Sequence, residues 1–323
     1  MKAHLLLRGT CSVVAGFFLL LAAMSIAVAA APQLKTSAPG YYRMMLGDFE
    51  VTALSDGTVD LSMGDLLTNI TAARTRTALA KHHLKDPVEV SVNAYLINTG
   101  SKLVLIDAGS GTFFGPTVGK LMANLKASGY QPEQVDEIYI THMHADHVGG
   151  LVAGSQIAFP NAIVRADQRE ADFWLSKANM DAAPKEAKQV FEGAMASINP
   201  YLAAGKFKSF DGNTDLMPGI KAVATRGHTP GHSIYVVESQ GQRLVLWGDL
   251  MHAAAVQFPD PSVTIRFDTD SKAAAAQRKA QYADAAKRGH WVAAAHLPFP
   301  GIGHLRADGK SYDWIPANYI ALR

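Results

Sequence analysis

The sequence predicts an α/β protein folded as a four-layer αββα sandwich, and three observations predict it. Strand-like and helical segments alternate along the chain. The series of hairpin, strands and helices occurs roughly twice, before and after about residue 205. Several of the β-runs end abruptly in Asp, Gly or His. Two β-rich halves with helices outside suit one molecule better than two independent domains. Of 323 residues, 48% are hydrophobic and 18% charged, enough for a single large core.

The N-terminus reads as an export signal. "MKAHLLLR" supplies positive charge, and the uncharged apolar run "CSVVAGFFLLLAAMSIAVAAA" follows. Small residues at Ala27 and Ala29 suit a cleavage site. Residues 1–29 are therefore expected to be a signal peptide, residues 30–323 the mature domain, and the destination the periplasm or the medium. An uncleaved membrane anchor is the rival reading, since the run approaches spanning length. Lipidation at Cys11 is disfavoured by Arg8, where an apolar residue is wanted. Cys11 is the only cysteine, so its removal excludes a disulfide scaffold, a zinc–cysteine ribbon and a cysteine nucleophile. The formal net charge is +2, and Lys2 and Arg8 both belong to the leader. What remains is about neutral, with no stripe for nucleic acid and no polybasic patch for a membrane.

In chain order, "DFEVTALSDGTVDLS" alternates apolar and polar residues around Asp56-Gly57, which predicts a hairpin turning there. "VSVNAYLINTG" and "KLVLIDAG" are two further strands. Residues 117–128 have helical spacing and stop at Gly129. "VDEIYITH" is a strand and so is "AIVRAD". A helical, aromatic region from Gln168 to Ala204 is expected to be a surface insertion. "IKAVAT", "SIYVVES" and "RLVLWGD" are strands, "SKAAAAQRKAQYADAAKR" a helix, and "WVAAAH" a final strand.

The chemistry is concentrated in "THMHADHVGG". Along a strand His142 and His144 project to one side, with Asp146 next and His147 starting a turn. Imidazole and carboxylate at this density suit zinc or another borderline divalent ion. Four ligands from one bend crowd a single ion. The natural division gives His142 and His144 to one metal, Asp146 and His147 to a second. Three further candidates stand at the ends of β-runs: His228, Asp249 and His296. Strand ends on one edge converge in space, where sites are usually built.

"HMHADH", "GHTPGHS", "GD" and "AAAH", in that order, resemble the metallo-β-lactamase superfamily. "YYRMMLGDFEVTALSDGTV", "NTGSKLVLIDAG", "GYQPEQVDEIYITHMHADHVGG" and "FPGIGHLRA" resemble its methyl parathion hydrolase branch. The resemblance implies the αββα fold, a homodimer and two divalent cations, normally Zn2+. It gives His142, His144 and His228 to one metal, and Asp146, His147 and His296 to the other, with Asp249 bridging. It makes His232 a buttress of the ligand loop rather than a ligand, and Asp107 an aspartate that orients a ligand loop.

Two such cations acidify a shared water, so the expected reaction is hydrolysis by a hydroxide held between them. Asp249 spaces the ions and can accept a proton. Phe113, Phe114, Trp174 and Phe191 offer aromatic bulk for an aryl substrate. Leu67, His252, Ile265 and Phe267 depart from the organophosphate-degrading pattern, and the segment near Lys188 is one residue shorter. The expected substrates are therefore aryl esters and dihydrocoumarin-like lactones, with phosphotriester cleavage weaker. His252, three residues after Asp249, is expected to position substrate or to move a proton to the leaving group. The alternatives are a methyl parathion hydrolase proper, a β-lactamase, a glyoxalase II, a quorum-lactone hydrolase and a non-enzymatic periplasmic metal carrier. A tRNA-processing nuclease fits an exported neutral chain badly.

Overall fold

The structure is a computed structural model that describes residues 31–322. The expected leader and its cleavage site lie outside the described residues. Residues Pro39–Arg323 form one compact unit.

Its strands are β1 (Tyr41–Leu46), β2 (Phe49–Leu61), β3 (Leu67–Thr68), β4 (Val88–Asn98), β5 (Leu103–Ile106), β6 (Glu137–Tyr139), β7 (Val152–Ala153), β8 (Gln156–Ile157) and β9 (Ile163–Asp167). Then come β10 (Phe207–Phe210), β11 (Thr214–Met217), β12 (Ile220–Ala224), β13 (Ser233–Ser239), β14 (Gln242–Leu246), β15 (Thr264–Ile265), β16 (Trp291–Ala293), β17 (Ile302–Asp308) and β18 (Ser311–Pro316). One seven-stranded sheet runs β1-β2-β4-β5-β6-β9-β10 and the other β11-β12-β13-β14-β16-β17-β18. The halves therefore divide between Phe210 and Thr214, close to the expected boundary.

The side-chain alternation of single strands shows why four layers form. In β5, Val104 and Ile106 join the cluster between the sheets, while Leu103 and Leu105 join the cluster under the outer helices. In β13, Tyr235 and Val237 face the other sheet, and Ile234 and Val236 pack with Tyr282 of helix Ser271–Arg288. Strands covered on both faces read as near-continuous apolar runs, as these do. Each fully buried Leu, Ile or Val contributes about 1.5–3 kcal/mol.

Three expectations need correction. There is no hairpin at Asp56-Gly57: β2 is continuous through them, with a register shift against β4 between Ser55 and Gly57. Asp56 is buried, and its carboxylate accepts from the backbone N–H groups of Ser110, Gly119 and Leu121. The hairpin turns instead at Gly47-Asp48, where Gly47 has φ +57°. The helix expected over 117–128 spans only Leu121–Ala127. Residues 168–204 are no surface insertion. They form helices Gln168–Trp174, Lys177–Ala182 and Lys185–Ala203, whose Ala171, Trp174, Phe191, Ala194, Ile198 and Tyr201 belong to the core on the first sheet. They are the outer layer.

The edge that matters lies at the C-terminal ends of parallel neighbours. β5, β6 and β9 run parallel in the first sheet, and β14 and β16 in the second. β12 lies antiparallel to β13, which lies antiparallel to β14, so β12 ends at the same edge as β14. The loops after β5, β6, β12, β14 and β16 meet there.

Candidate metal centre

Those loops deliver Asp107, the 142–147 bend, His228 and His232, Asp249, and His296. Two groups of ligand atoms result, each within 4.8 Å. One is His142, His144, His228 and Asp249; the other is Asp146, His147, His296 and Asp249. All seven side chains expected from the sequence as ligands come together, in the expected division, and Asp249 is common to both groups.

The surrounding hydrogen bonds fix the imidazoles. His147 Nδ1 donates to Asp107 Oδ2 at 2.8 Å, His228 Nδ1 to Asp268 Oδ1 at 2.9 Å, and His296 Nδ1 to the Ser91 carbonyl at 3.0 Å. The Thr141 hydroxyl donates to Asp107 Oδ2, so its oxygen is left to accept from His142 Nδ1 at 3.1 Å. Each arrangement places the proton on Nδ1 and turns a bare Nε2 inward, as metal-binding histidines require. Asp249 Oδ2 lies 3.5 Å from His142 Nε2, 3.4 Å from His228 Nε2 and 3.2 Å from His296 Nε2; its Oδ1 lies 3.2 Å from His147 Nε2. His142 Nε2, His147 Nε2 and Asp249 Oδ1 are buried with no hydrogen-bond partner. Lone pairs facing an anion across such gaps are satisfied by cations between them, so the donor set fits divalent metal.

The electrostatics agree. Burial, and then the charge at His147, hold His142 well below the usual histidine range; burial, with His228 next, takes His144 down to about 3. Burial also opposes charge on His228 and His147, but carboxylates win. Asp249 and Asp268 raise His228 to about 9, and Asp249, Asp146 and Asp107 raise His147 well above its range. Asp249, despite its burial, is held far below the carboxylate range by His147, His296 and His142. The pocket therefore concentrates negative charge around Asp249, which positive charge on the facing nitrogens offsets.

The other expected residues fall into place unevenly. Asp107 has φ +60°, a left-handed backbone that few side chains adopt, and its carboxylate holds both Thr141 and His147. His232 donates from Nδ1 to Thr225 Oγ1, and its Nε2 accepts from the backbone N–H of Asp249 at 3.1 Å. It steadies the Asp249 backbone. Gly248 has φ +52°, and a Cβ there would meet Thr141 and His232 at 2.8–2.9 Å. His252 places Nε2 3.0 Å from Asp249 Oδ2 and stacks on His296, its Nδ1 buried and unpartnered. Trp174 sets its edge against His144 at 5.3 Å, and Phe267 lies 5.9 Å from His252. Phe113 and Phe114 are half-exposed. Phe191 packs behind Trp174 as core. Leu67 and Ile265 are not on an open rim: they pair across β3 and β15 and are buried with Met63, Leu79 and Val263.

Sequence reasoning missed Glu170, Asp268 and the Ser91 carbonyl. Glu170 has no exposed surface. Its Oε1 accepts from Met143 N, and its Oε2 from Thr229 Oγ1 and Gly231 N, so one carboxylate ties the 142–147 bend to the His228 loop. Burial raises its pKa although all three donors favour the anion. Its position in the first turn of helix Gln168–Trp174 looks like an ordinary solvated helix-start acid, and no local signal separates the two. Glu170→Ala leaves three buried donors unpaired, so unfolding stability should fall by about 2–4 kcal/mol, with easier loss of metal. A denaturant midpoint and metal retention equal to wild type would contradict this placement.

A metallo-beta-lactamase superfamily model matches residues 87–302. The chain belongs to the metallo-beta-lactamase superfamily, and its two ligand groups make a divalent metal centre. A solved structure described as hydrolase AbOPH in the beta lactamase superfamily is 41% identical, with TM-score 0.85, over 88% of this chain and 100% of that one. A second, AidC, described as a dizinc quorum-quenching lactonase in complex with the product N-hexanoyl-L-homoserine, is 28% identical, with TM-score 0.81, over 87% of this chain and 99% of that one. A Bacillus N-acyl homoserine lactonase is 27% identical over 178 residues, 49% of this chain and 63% of its own. The chain thus spans less than two thirds of the curated lactonases it matches.

Proposed function

We propose that this chain is an exported, binuclear metal-dependent hydrolase of lactones and aryl esters, with phosphotriesters as poorer substrates. The observation that supports it most is the Asp249 carboxylate shared by two four-residue ligand groups, with bare imidazole nitrogens on both sides. His142, His144 and His228 would hold one cation, Asp146, His147 and His296 the other, and zinc suits this donor set. Such ions, when bound, acidify water and draw charge from the oxygen under attack. Assembly as a homodimer is part of the same proposal and rests on the family resemblance.

The chain's own groups then bind, orient and move protons. Phe267, partly exposed beside His252, presents aromatic surface that favours a flat, uncharged substrate, while Trp174 is buried against the ligand His144. His252 donates from Nε2 to Asp249 Oδ2, which leaves Nδ1 as an acceptor. Burial lowers its pKa to about 4, so the ring is neutral at pH 7 and its Nδ1 lone pair can accept a hydrogen bond that orients a substrate or water. The Leu67–Ile265 pair lies in a buried apolar cluster that also holds Ala253, the residue after His252. The AidC likeness, with its lactone-derived product, supports lactones as a substrate class.

A panel of lactones, aryl esters, methyl parathion and nitrocefin tests the reading on purified protein. The highest kcat/KM should fall on a lactone or aryl ester. A methyl parathion value above every lactone reverses the ordering, a nitrocefin maximum makes it a β-lactamase, and no turnover at all favours a metal carrier. His252→Leu should lower lactone kcat about 100-fold with KM little changed. Unchanged kcat would remove His252 from the reaction.

A further inference from the structure

Two ligand histidines, one in each group, are backed by buried carboxylates, and the two carboxylates come from very different places. Asp107, behind His147, follows β5 and is anchored to Thr141 within the sandwich. Asp268, behind His228, sits in the segment that also carries Phe267 beside His252. Its side chain has no exposed surface. Oδ1 accepts from His228 Nδ1 at 2.9 Å, and Oδ2 accepts from Ile265 N at 3.2 Å. The next two residues are stapled to the same ligand loop, Thr269 N donating to the His228 carbonyl at 2.9 Å and Asp270 N to the Gly227 carbonyl at 2.8 Å. Asp270 also caps helix Ser271–Arg288 through Ala273 N. The pocket segment and the His228 loop therefore share one hydrogen-bonded unit, and among the described residues no equivalent link joins that segment to His147.

We propose that Asp268 is a positioning residue that makes the cation at His142, His144 and His228 and the pocket segment 264–270 hold each other in place. The proposal rests on the binuclear reading above. When bound, a cation held by this group would fix the His228 ring; the ring would hold Asp268 through Nδ1, and Asp268 the backbone that carries Phe267. Read in reverse, substrate pressed against Phe267 bears on one cation and leaves its neighbour alone. A residue serving only the local turn from Ile265 to Asp268 would produce neither effect.

The test uses chelator titration of zinc-loaded protein, followed by metal content and by hydrogen exchange of the peptide 264–270. Wild type should retain two zinc ions per chain. In Asp268→Asn one of them should leave at a chelator concentration about 10–100-fold lower, the usual scale for losing a group that backs a metal-binding histidine. The other should leave as in wild type. Asp107→Asn, tolerable because Asn accepts left-handed backbone, should weaken the opposite ion. In wild type, zinc should slow exchange of 264–270, a measurement that needs no variant to fold; in Asp268→Asn that slowing should vanish, with lactone KM rising more than kcat falls. Identical chelator curves for wild type and Asp268→Asn, or exchange of 264–270 indifferent to zinc, would overturn the proposal. Wild type binding no zinc would overturn it together with the metal-centre reading, and is distinguishable because both ions are then missing before any mutation.

Discussion

Asp249→Ala should reduce kcat/KM for the best lactone by at least about 1,000-fold, more than removal of one oxyanion-stabilising donor typically costs. The reason lies in what surrounds this carboxylate. It is 2% exposed, and its two oxygens face the Nε2 atoms of His142, His147, His228, His252 and His296 at 3.0–3.5 Å. Alanine takes a ligand from both groups at once and removes the anion that makes the pocket attractive to cations. It also frees His252 Nε2, so proton placement is lost along with metal. The fold should survive, because the Asp249 backbone remains held through its N–H by His232. An unchanged far-ultraviolet dichroism spectrum with no activity is therefore the expected pair of results. A fully active Asp249→Ala would exclude a shared carboxylate from the mechanism.

Arg278→Met should lower stability by about 2–5 kcal/mol, and Tm by on the order of 10 °C. Arg278 is 1% exposed, yet no carboxylate pairs with it among the described residues. Its Nε donates to the Leu250 carbonyl at 2.5 Å, and its Nη1 to the carbonyls of Val263 at 2.6 Å and Pro261 at 3.2 Å. These carbonyls flank the excursion from Asp249 through His252 to Ile265, so one guanidinium closes that loop onto helix Ser271–Arg288. Methionine matches the stem and supplies no donor, leaving the Leu250 and Pro261 carbonyls bare at about 1–3 kcal/mol each, while Val263 keeps Gln257 Nε2 at 3.0 Å; removing a buried charge offsets part of the loss. Lysine should fare little better, since a compact ammonium cannot reproduce the fork. Thermal unfolding monitored by calorimetry checks this. A Tm within 1–2 °C of wild type would mean that the loop holds itself.

How much of this was readable beforehand depended on whether the signal was local. The ligands were legible because imidazole and carboxylate are scarce and stood at the ends of apolar runs such as "RLVLWGD" and "WVAAAH". The layering was legible because strands buried on both faces advertise themselves. Asp56-Gly57 misled for a definite reason. The alternation around it is that of a hairpin, but its carboxylate is committed to three amides more than 50 residues away, and β2 absorbs the pair as a bulge. The helices after Gln168 looked peripheral because they fall between the two β-rich halves, yet Trp174 and Phe191 complete the first core. Glu170 and Asp268 were invisible. Each is an ordinary acid in its own neighbourhood, and each acquires its role from a loop about 30–60 residues distant. The backing for His296 is a main-chain carbonyl, which no sequence displays.

The most direct measurement is an anomalous-difference map from a crystal of the purified, buffer-washed protein. Two peaks should flank Asp249 about 3.5–4 Å apart, one among His142, His144 and His228 and the other among Asp146, His147 and His296. An active protein whose map shows no peak at either position would contradict the account at its base.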